Sequence, residues 1–369
     1  MLRRLERDFK HLLPTLLRPL VGSGQPADVA TRPFKRILVI RQHDQLGDML
    51  CAVPLLRGLR HRYPGAAITL MTSPVNHEIM MHNPYADRII NYDKREFLGR
   101  VSLRPAKVLN FIRMLRREKF ELAIVPSTVS ISVTSDLLGY LSGAPYRVGA
   151  SHLDEIENPS AVFFNCPVRL TWKEEPHRHQ ALRNLDIARS LNLNVTDLSP
   201  EIGLSGQEVS AAKWFLSSAA MKGPIIAYHP GAGKAPNRWP AERFAELANS
   251  LARDLKCGAI ITYGPMDDEP VRIMQSRLVC PHVVVENKSI REVAAILSLA
   301  HLVISNDTGI MHVAAAVGTP VLSLFGPTDP GQWAPIGTAH RYREGKGGEI
   351  SSITVGEVLS AAREMVKEE

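Results

Sequence analysis

Residues 36–63 read RILVIRQHDQLGDMLCAVPLLRGLRHRY, and this stretch decides the fold class. Ile37–Arg41 is a short β-branched run, Gly47 and Asp48 mark a turn, and Met49–Tyr63 carries apolar residues at helical spacing. Pro64 and Gly65 end that helix, and Ala67–Thr72 begins another strand. The alternation continues with a short strand at Ile89 and Ile90, a helix over Ala106–Arg117, a buried strand over Leu122–Pro126 and a helix over Gln180–Leu193. After the polar, turn-rich Asn194–Gly206 it restarts: helix Ala211–Ala220, strand Ile225–His229, helix Ala241–Leu255, strand Ala259–Tyr263, helix Val271–Leu278, strand Val283–Val285, helix Ile290–Ser298, strand Leu302–Ser305. Repeated β-α units predict α/β architecture with parallel sheets, wound twice. A final helix, Val355–Lys367, can close either half.

The chain has 369 residues, 45% of them hydrophobic and 22% charged, too long for one ordinary core and too apolar for disorder. The expected organisation is a leader and linker over 1–33, a first domain over 34–206, a second over 207–345, and a C-terminal helix within 346–369. Cys51, Cys166, Cys257 and Cys280 are widely spaced, with no Cys-x-x-Cys pair, which fits a reducing cytoplasm and predicts neither a zinc site nor a disulfide framework. Of the net charge of +7, residues 1–36 hold +5, from eight Lys or Arg against Glu6, Asp8 and Asp28. The remainder is near neutral, which argues against a nucleic-acid groove. Leu2, Leu5, Phe9, Leu12 and Leu13 recur at helical spacing among Arg3, Arg4, Arg7 and Lys10, so residues 1–20 read either as a basic amphipathic helix for an anionic membrane surface or as a helix packed on the protein itself. No run reaches the roughly 18 apolar residues needed to span a bilayer.

Three strand-to-helix junctions are rich in glycine and polar residues, and in open α/β sheets such loops bind ligands. The first, RQHDQLGD over 41–48, places Asp48 where it can cap a helix or act as a general base toward an acceptor hydroxyl; His43 and Asp44 are weaker candidates. The second, HPGAGK over 229–234 followed by NRWP over 237–240, sets His229, Gly231, Lys234 and Arg238 before a helix as an anion cradle. It lacks the Gly-Lys-Ser/Thr ending of a triphosphate loop. The third, SNDTGIMH over 305–312, offers Asp307, Thr308 and the Gly309 backbone to a diphosphate or sugar, with His312 a phosphate contact or a buried structural histidine. No Asp-x-Asp occurs, so no metal ligand set is expected. Asp267, in the acidic run 267–269, stands where a ribose-binding carboxylate or a solvated helix start would be.

Together these junctions resemble glycosyltransferase family 9, the ADP-heptose:lipopolysaccharide heptosyltransferases. The similarity runs from about Arg36 to Val366 and is most specific in SNDTGIMHVAAAVGTPVLSLFGPTDP over 305–330, supported by ILVIRQHDQLGDML, AYHPGAG and RWPAERF. The resemblance implies a GT-B architecture: two facing Rossmann-like domains, acceptor on the first, nucleotide-sugar on the second, and a last helix that crosses back. It implies an inverting, metal-independent transfer with no cofactor beyond the donor substrate, ADP-heptose or a related nucleotide-sugar. Asp48 matches the family's proposed base, and Asp307, Thr308, Gly309 and His312 match its diphosphate and sugar contacts. Similar sequences often carry Lys two residues before the Trp-Pro pair, where this chain has Asn237, so Lys234 or Arg238 has to supply the charge.

The expected partners are thus the nucleotide-sugar donor, a lipid-linked glycan acceptor and, through residues 1–20, the inner face of the inner membrane. Arg57 and Arg60, on the helix after Asp48, are weak candidates for acceptor phosphates against a solvated helix face. The rival from another class is a noncatalytic membrane-associated module that keeps the nucleotide-sugar fold; the intact Asp48 and Asp307-Thr308-Gly309 set argues against it. A dinucleotide oxidoreductase predicts Gly-x-Gly-x-x-Gly after the first strand, and Gln45-Leu46-Gly47-Asp48 does not supply it.

Overall fold

The computed structural model describes residues 28–42, 45–97, 104–218, 223–264 and 266–367. The basic leader over 1–20 and the loop residues His43 and Asp44 lie outside the described residues. The chain divides into two compact units. One holds Cys51–His77, Asn83–Leu198 and the residues before Gln45; the other holds Gln45–Leu50, Glu78–His82 and the chain from Ser199 onward.

The elements up to residue 198 are β1 (Arg36–Arg41), α1 (Leu46–Leu50), α2 (Val53–Arg62), β2 (Ala67–Thr72), α3 (Pro74–Met80), β3 (Arg88–Asn91), α4 (Lys94–Phe97), α5 (Pro105–Arg117), β4 (Leu122–Val125), α6 (Val133–Leu141), β5 (Tyr146–Leu153), β6 (Ile156–Glu157), β7 (Cys166–Leu170) and α7 (Gln180–Ile187). The first sheet runs β3-β2-β1-β4-β5-β6, with β7 also paired to β5. All its pairings are parallel except the short β5–β6 hairpin. Ile37 lies opposite both Ile68 and Leu122, and Ile37–Ile40 are all buried. Such a strand is apolar on both faces because helices cover both sides of a parallel sheet.

The second unit continues with α8 (Gly206–Ser218), β8 (Ile225–His229), α9 (Ala241–Leu255), β9 (Gly258–Thr262), α10 (Asp268–Arg277), β10 (His282–Val285), α11 (Ile290–Leu297), β11 (Leu302–Asn306), α12 (Gly309–Ala316), β12 (Val321–Phe325), α13 (Pro330–Trp333), β13 (His340–Glu344) and α14 (Val355–Lys367). Its sheet is parallel throughout, in the order β10-β9-β8-β11-β12-β13. Counted from β8 this is 3-2-1-4-5-6, the doubly wound Rossmann order. Helix α14, the last helix that the resemblance expects to cross back, buries Val358, Ala361, Ala362 and Met365 in this unit's core beside Phe244, Leu247 and Leu251 of α9.

Two of the expected helices are broken. The pattern over Met49–Tyr63 folds as α1 and α2, separated at Cys51 and Ala52. Pro54 explains the break: in the first turn of α2 its missing N–H is tolerated, whereas in one continuous helix its ring would collide with the carbonyl four residues earlier. Gln180–Leu193 likewise becomes α7 and a 3₁₀ turn over Arg189–Leu191, closed by Asn192 at φ 50°.

Candidate functional site

The order of the second sheet reverses between β8 and β11, where Ser305 lies opposite His229. Chains leaving two such strands part in opposite directions and open a crevice at their carboxyl ends. The loop after β8 brings His229, Pro230 and Gly231 to it; the end of β11 brings Asn306, Asp307 and Thr308. Asn306, fully buried, ties the two together. Its Nδ2 donates to the carbonyls of Pro230 (2.9 Å) and Gly231 (3.1 Å), and its Oδ1 accepts from the Trp239 amide at 3.0 Å. Trp239 is itself buried, donating from Nε1 to the Ile353 carbonyl at 2.9 Å. A central tie made by Asn306 has no trace in periodicity, and sequence reading assigned it no role.

His229 and Asp267 form a knot beneath this loop. His229 Nδ1 lies 2.8 Å from Thr262 Oγ1, whose proton goes to the Tyr228 carbonyl at 3.2 Å. The histidine is therefore the donor, with its proton on Nδ1. Its Nε2 stands 3.8 Å from Asp267 Oδ2. Burial pushes the His229 pKa down, against the charge of Asp267 and the bond to Thr262. Asp267 accepts the Gly264 amide at 2.9 Å and is 6% exposed. A Cβ on Gly231 would collide with its carboxyl group. Asp267 thus braces the glycine turn from below, instead of standing as a solvated helix start.

Asp307 sits at the crevice. Its Oδ2 accepts from Asn237 Nδ2 at 2.9 Å, and the same amide nitrogen donates to Thr328 Oγ1 at 3.1 Å. Burial raises the Asp307 pKa, opposed by hydrogen bonding from Thr328 and by the Lys234 charge. Asn237 therefore gives Asp307 a neutral partner at the position where the resemblance expects Lys. Lys234 stays exposed on the same loop, while Arg238 is tethered through Nε to the Ala232 carbonyl at 2.8 Å. Thr308 caps α12, accepting the Ile310 amide at 3.3 Å. The Gly309 N–H, at the first helical position, has no intrahelical acceptor. These amides make the start of α12 favourable for an anion.

Helix α1, which carries Asp48, packs on this start of α12 within the same unit. A Cβ on Gly309 would stand 3.1 Å from Leu46 Cβ, and one on Gly47 only 2.7 Å from His312 Cδ2. Glycine at 47 is thus what lets the imidazole lie against the helix that bears Asp48. The opposite side of the His312 ring meets Trp333 edge-on, with centroids 6.2 Å apart. Asp48 is 4% exposed and lies in the first turn of a helix that begins at Leu46. Of the two alternatives for Asp48, a helix cap or a general base, the cap position before the helix is not the one it occupies, since Asp48 stands two residues inside the helix.

Other candidates fall elsewhere. Arg57 is 4% exposed, bonded through Nε to Tyr85 Oη (2.9 Å) and through a terminal nitrogen to the Asp197 carbonyl (2.7 Å). Arg60 bonds the Ala66 carbonyl at 2.7 Å and pairs with Asp87. Both guanidinium groups hold the first unit together, so neither the acceptor contact nor the solvated face describes them. In the first unit the start of α6 carries polar groups that pattern alone does not resolve. Gln42 Nε2 donates to Ser135 Oγ at 2.9 Å, and Asp136, buried in the first turn of α6, accepts from Asn158 Nδ2 (2.9 Å) and Ser160 Oγ (2.5 Å). Burial pushes the Asp136 carboxyl up to about 7, against those two hydrogen bonds. Among the described residues no three His, Cys, Asp or Glu side chains converge as a metal site, and no helix is long and apolar enough to cross a membrane.

Known proteins bear on this geometry. The family model "Glycosyltransferase family 9 (heptosyltransferase)" matches residues 108–344. Lipopolysaccharide heptosyltransferase 2 of Escherichia coli is 26% identical over 319 residues, covering 84% of this chain and 87% of that protein. Among solved structures, a family 9 glycosyl transferase from Veillonella parvula superposes with a TM-score of 0.78 at 24% identity, over 93% of this chain and 100% of the other. The ADP-heptose lipopolysaccharide heptosyltransferase II of E. coli gives 0.75 at 23% identity, over 90% and 99%. Both likenesses carry the GT-B fold of two Rossmann-like units.

Proposed function

The chain belongs to glycosyltransferase family 9, and from that premise we propose that this glycosyltransferase moves a heptose, or a related sugar, from an ADP-sugar to a hydroxyl of a lipopolysaccharide-core or similar lipid-linked glycan. The observation that carries the reading is the packing of α1, with Asp48, on the anion-favouring start of α12 at the switch point of the second sheet. The relatives' names supply the sugar and the acceptor class.

In the proposed reaction Asp48 takes the proton of the acceptor hydroxyl as its oxygen bonds to the anomeric carbon. The bond from that carbon to the diphosphate breaks on the opposite face, which inverts the configuration. ADP leaves with its new charge held by the Gly309 amide, Thr308 and Lys234, so preorganised donors do what a metal ion does elsewhere. His312, between Gly47 and Trp333, is suited to a phosphate or sugar oxygen; Asp307 to sugar hydroxyls. His229, Gly231, Asp267 and Arg238 shape the loop that receives the nucleotide. Transfer takes place on the cytoplasmic side, where nucleotide-sugars are the donors.

Asp48→Ala tests the assignment. Turnover falls by roughly 10²–10⁴-fold, the range for loss of a general base, while ADP affinity measured by calorimetry stays within about twofold. An Asp48→Ala protein with near wild-type turnover removes Asp48 from the mechanism.

A further inference from the structure

Helix α5 carries a cationic face that has no anionic partner among the described residues. From Arg104 to Arg117 the sequence has five Lys or Arg and no Asp or Glu. Arg104, Lys107, Arg113, Arg116 and Arg117 are all exposed, and none forms an ion pair with the described residues. Elsewhere in the unit four arginines are matched with carboxylates, Arg36 with Glu121, Arg60 with Asp87, Arg88 with Glu118 and Arg95 with Asp93, and others, such as Arg62 and Arg147, bond backbone carbonyls. On α5 the polar contacts are weak ones, Arg113 to Asn110 Oδ1 at 3.2 Å and Arg116 to the Leu141 carbonyl at 3.4 Å. Like charges at i, i+3 and i, i+4, as in Arg113, Arg116 and Arg117, disfavour the helix. A polyanionic partner turns that repulsion into attraction.

The helix is firmly seated. Leu115 enters the core, and Phe111 joins Tyr92 and Phe97 in an aromatic trio with centroids 5.1–5.6 Å apart. Rotation at 100° per residue then fixes Leu109, Asn110, Arg113, Arg116 and Arg117 outward. Leu109, 46% exposed, stands one turn before Arg113. A leucine among cations is the composition of a helix lying in a lipid headgroup layer, with the apolar group inserted and the long basic chains reaching phosphates.

We infer that the outward face of α5 docks on an anionic phospholipid surface, separately from residues 1–20. The exposed leucine and the near-neutral charge of the chain beyond residue 36 favour lipid over nucleic acid. The inference extends the lipid-linked acceptor reading and does not depend on the donor site.

The test is sedimentation of the full-length protein with vesicles of phosphatidylcholine alone, or of phosphatidylcholine and phosphatidylglycerol in equal amounts. Binding is expected only with the anionic vesicles. Arg113→Glu with Arg117→Glu lowers it on the order of 30-fold or more, at about 1 kcal/mol per cation. Lys213→Glu with Arg253→Glu, the same change of charge on the second unit, keeps the wild-type affinity. Arg113→Gln with Arg117→Gln gives the same direction of loss and serves should the reversed pair misfold. ADP affinity, measured on every variant, stays at the wild-type value and separates this result from a failure of the donor reading. Unchanged vesicle binding in the Arg113/Arg117 variants, an equal loss in the second-unit pair, or wild-type binding to duplex DNA but not to vesicles would each overturn it.

Discussion

Replacing Asp136 with Asn removes a charge that the first unit buries at a cost. The Asp136 side chain is 1% exposed and accepts from Asn158 and Ser160; its carboxyl is pushed up to about 7 by burial. In the unfolded chain the same group titrates near 3.8. The folded state thus holds its proton more tightly than the unfolded one, and stability falls as pH rises from the unfolded pKa through the folded value. The rise from 3.8 to about 7 corresponds to about 4 kcal/mol of stability, fully present below about pH 4 and lost above about pH 7. Asparagine keeps an accepting oxygen and cannot ionise, so Asp136→Asn should match the wild type at low pH and exceed its stability by up to about 4 kcal/mol near pH 8. Amide hydrogen exchange over Val133–Leu141 and Ala161–Phe163 reads this locally, which matters because a two-unit chain need not unfold in one step. Parallel pH profiles for the two proteins would refute the reasoning.

Asn237→Asp sets a carboxyl group where the amide now donates to Asp307 at 2.9 Å. The two acids share a proton at low pH and repel each other and an anionic nucleotide once both ionise, so ADP affinity should fall progressively with rising pH where the wild type changes little; calorimetry across pH decides it, and a flat difference contradicts it. Arg291→Met breaks a buried cluster in which Arg291 grips both Glu208 oxygens and the carbonyls of Gly203, Glu78 and Met81. The loss should be about 3–5 kcal/mol in thermal or urea unfolding, and Arg291→Lys should not restore it, because an ammonium's three donors cannot reach the five acceptors that the guanidinium plane serves.

The strands that formed a continuous apolar run, such as Ile37–Arg41 and Ile225–His229, were legible because a parallel strand buried on both faces leaves a local mark. β13, His340–Glu344, was not: this edge strand reads HRYRE and has no apolar run to find. The three junctions were visible as glycine-rich breaks, and the second and third meet at one switch point. What escaped were dependencies between residues distant in sequence. Asn306 reaches Pro230 and Trp239, Asn237 reaches Thr328, and Arg57 reaches the carbonyl of Asp197, 140 residues on. Hydrophobic periodicity reports which face is buried and says nothing of which carbonyl a buried side chain finds. Asp48 shows the same limit at short range, since spacing leaves a cap and a general base both open, and only the folded helix start at Leu46 puts Asp48 inside the first turn.

We propose that this chain transfers a heptose, or a related sugar, from an ADP-sugar to a hydroxyl of a lipid-linked glycan. It is tested most directly by incubating the purified protein with ADP-heptose and the glycolipid extracted from cells that lack this protein, then weighing the product by mass spectrometry. The expected result is a mass gain of one heptosyl residue and an equal molar release of ADP, both absent with Asp48→Ala. A glycolipid of unchanged mass beside intact ADP-sugar, or a gain only with a nucleotide-sugar of another base, would contradict it.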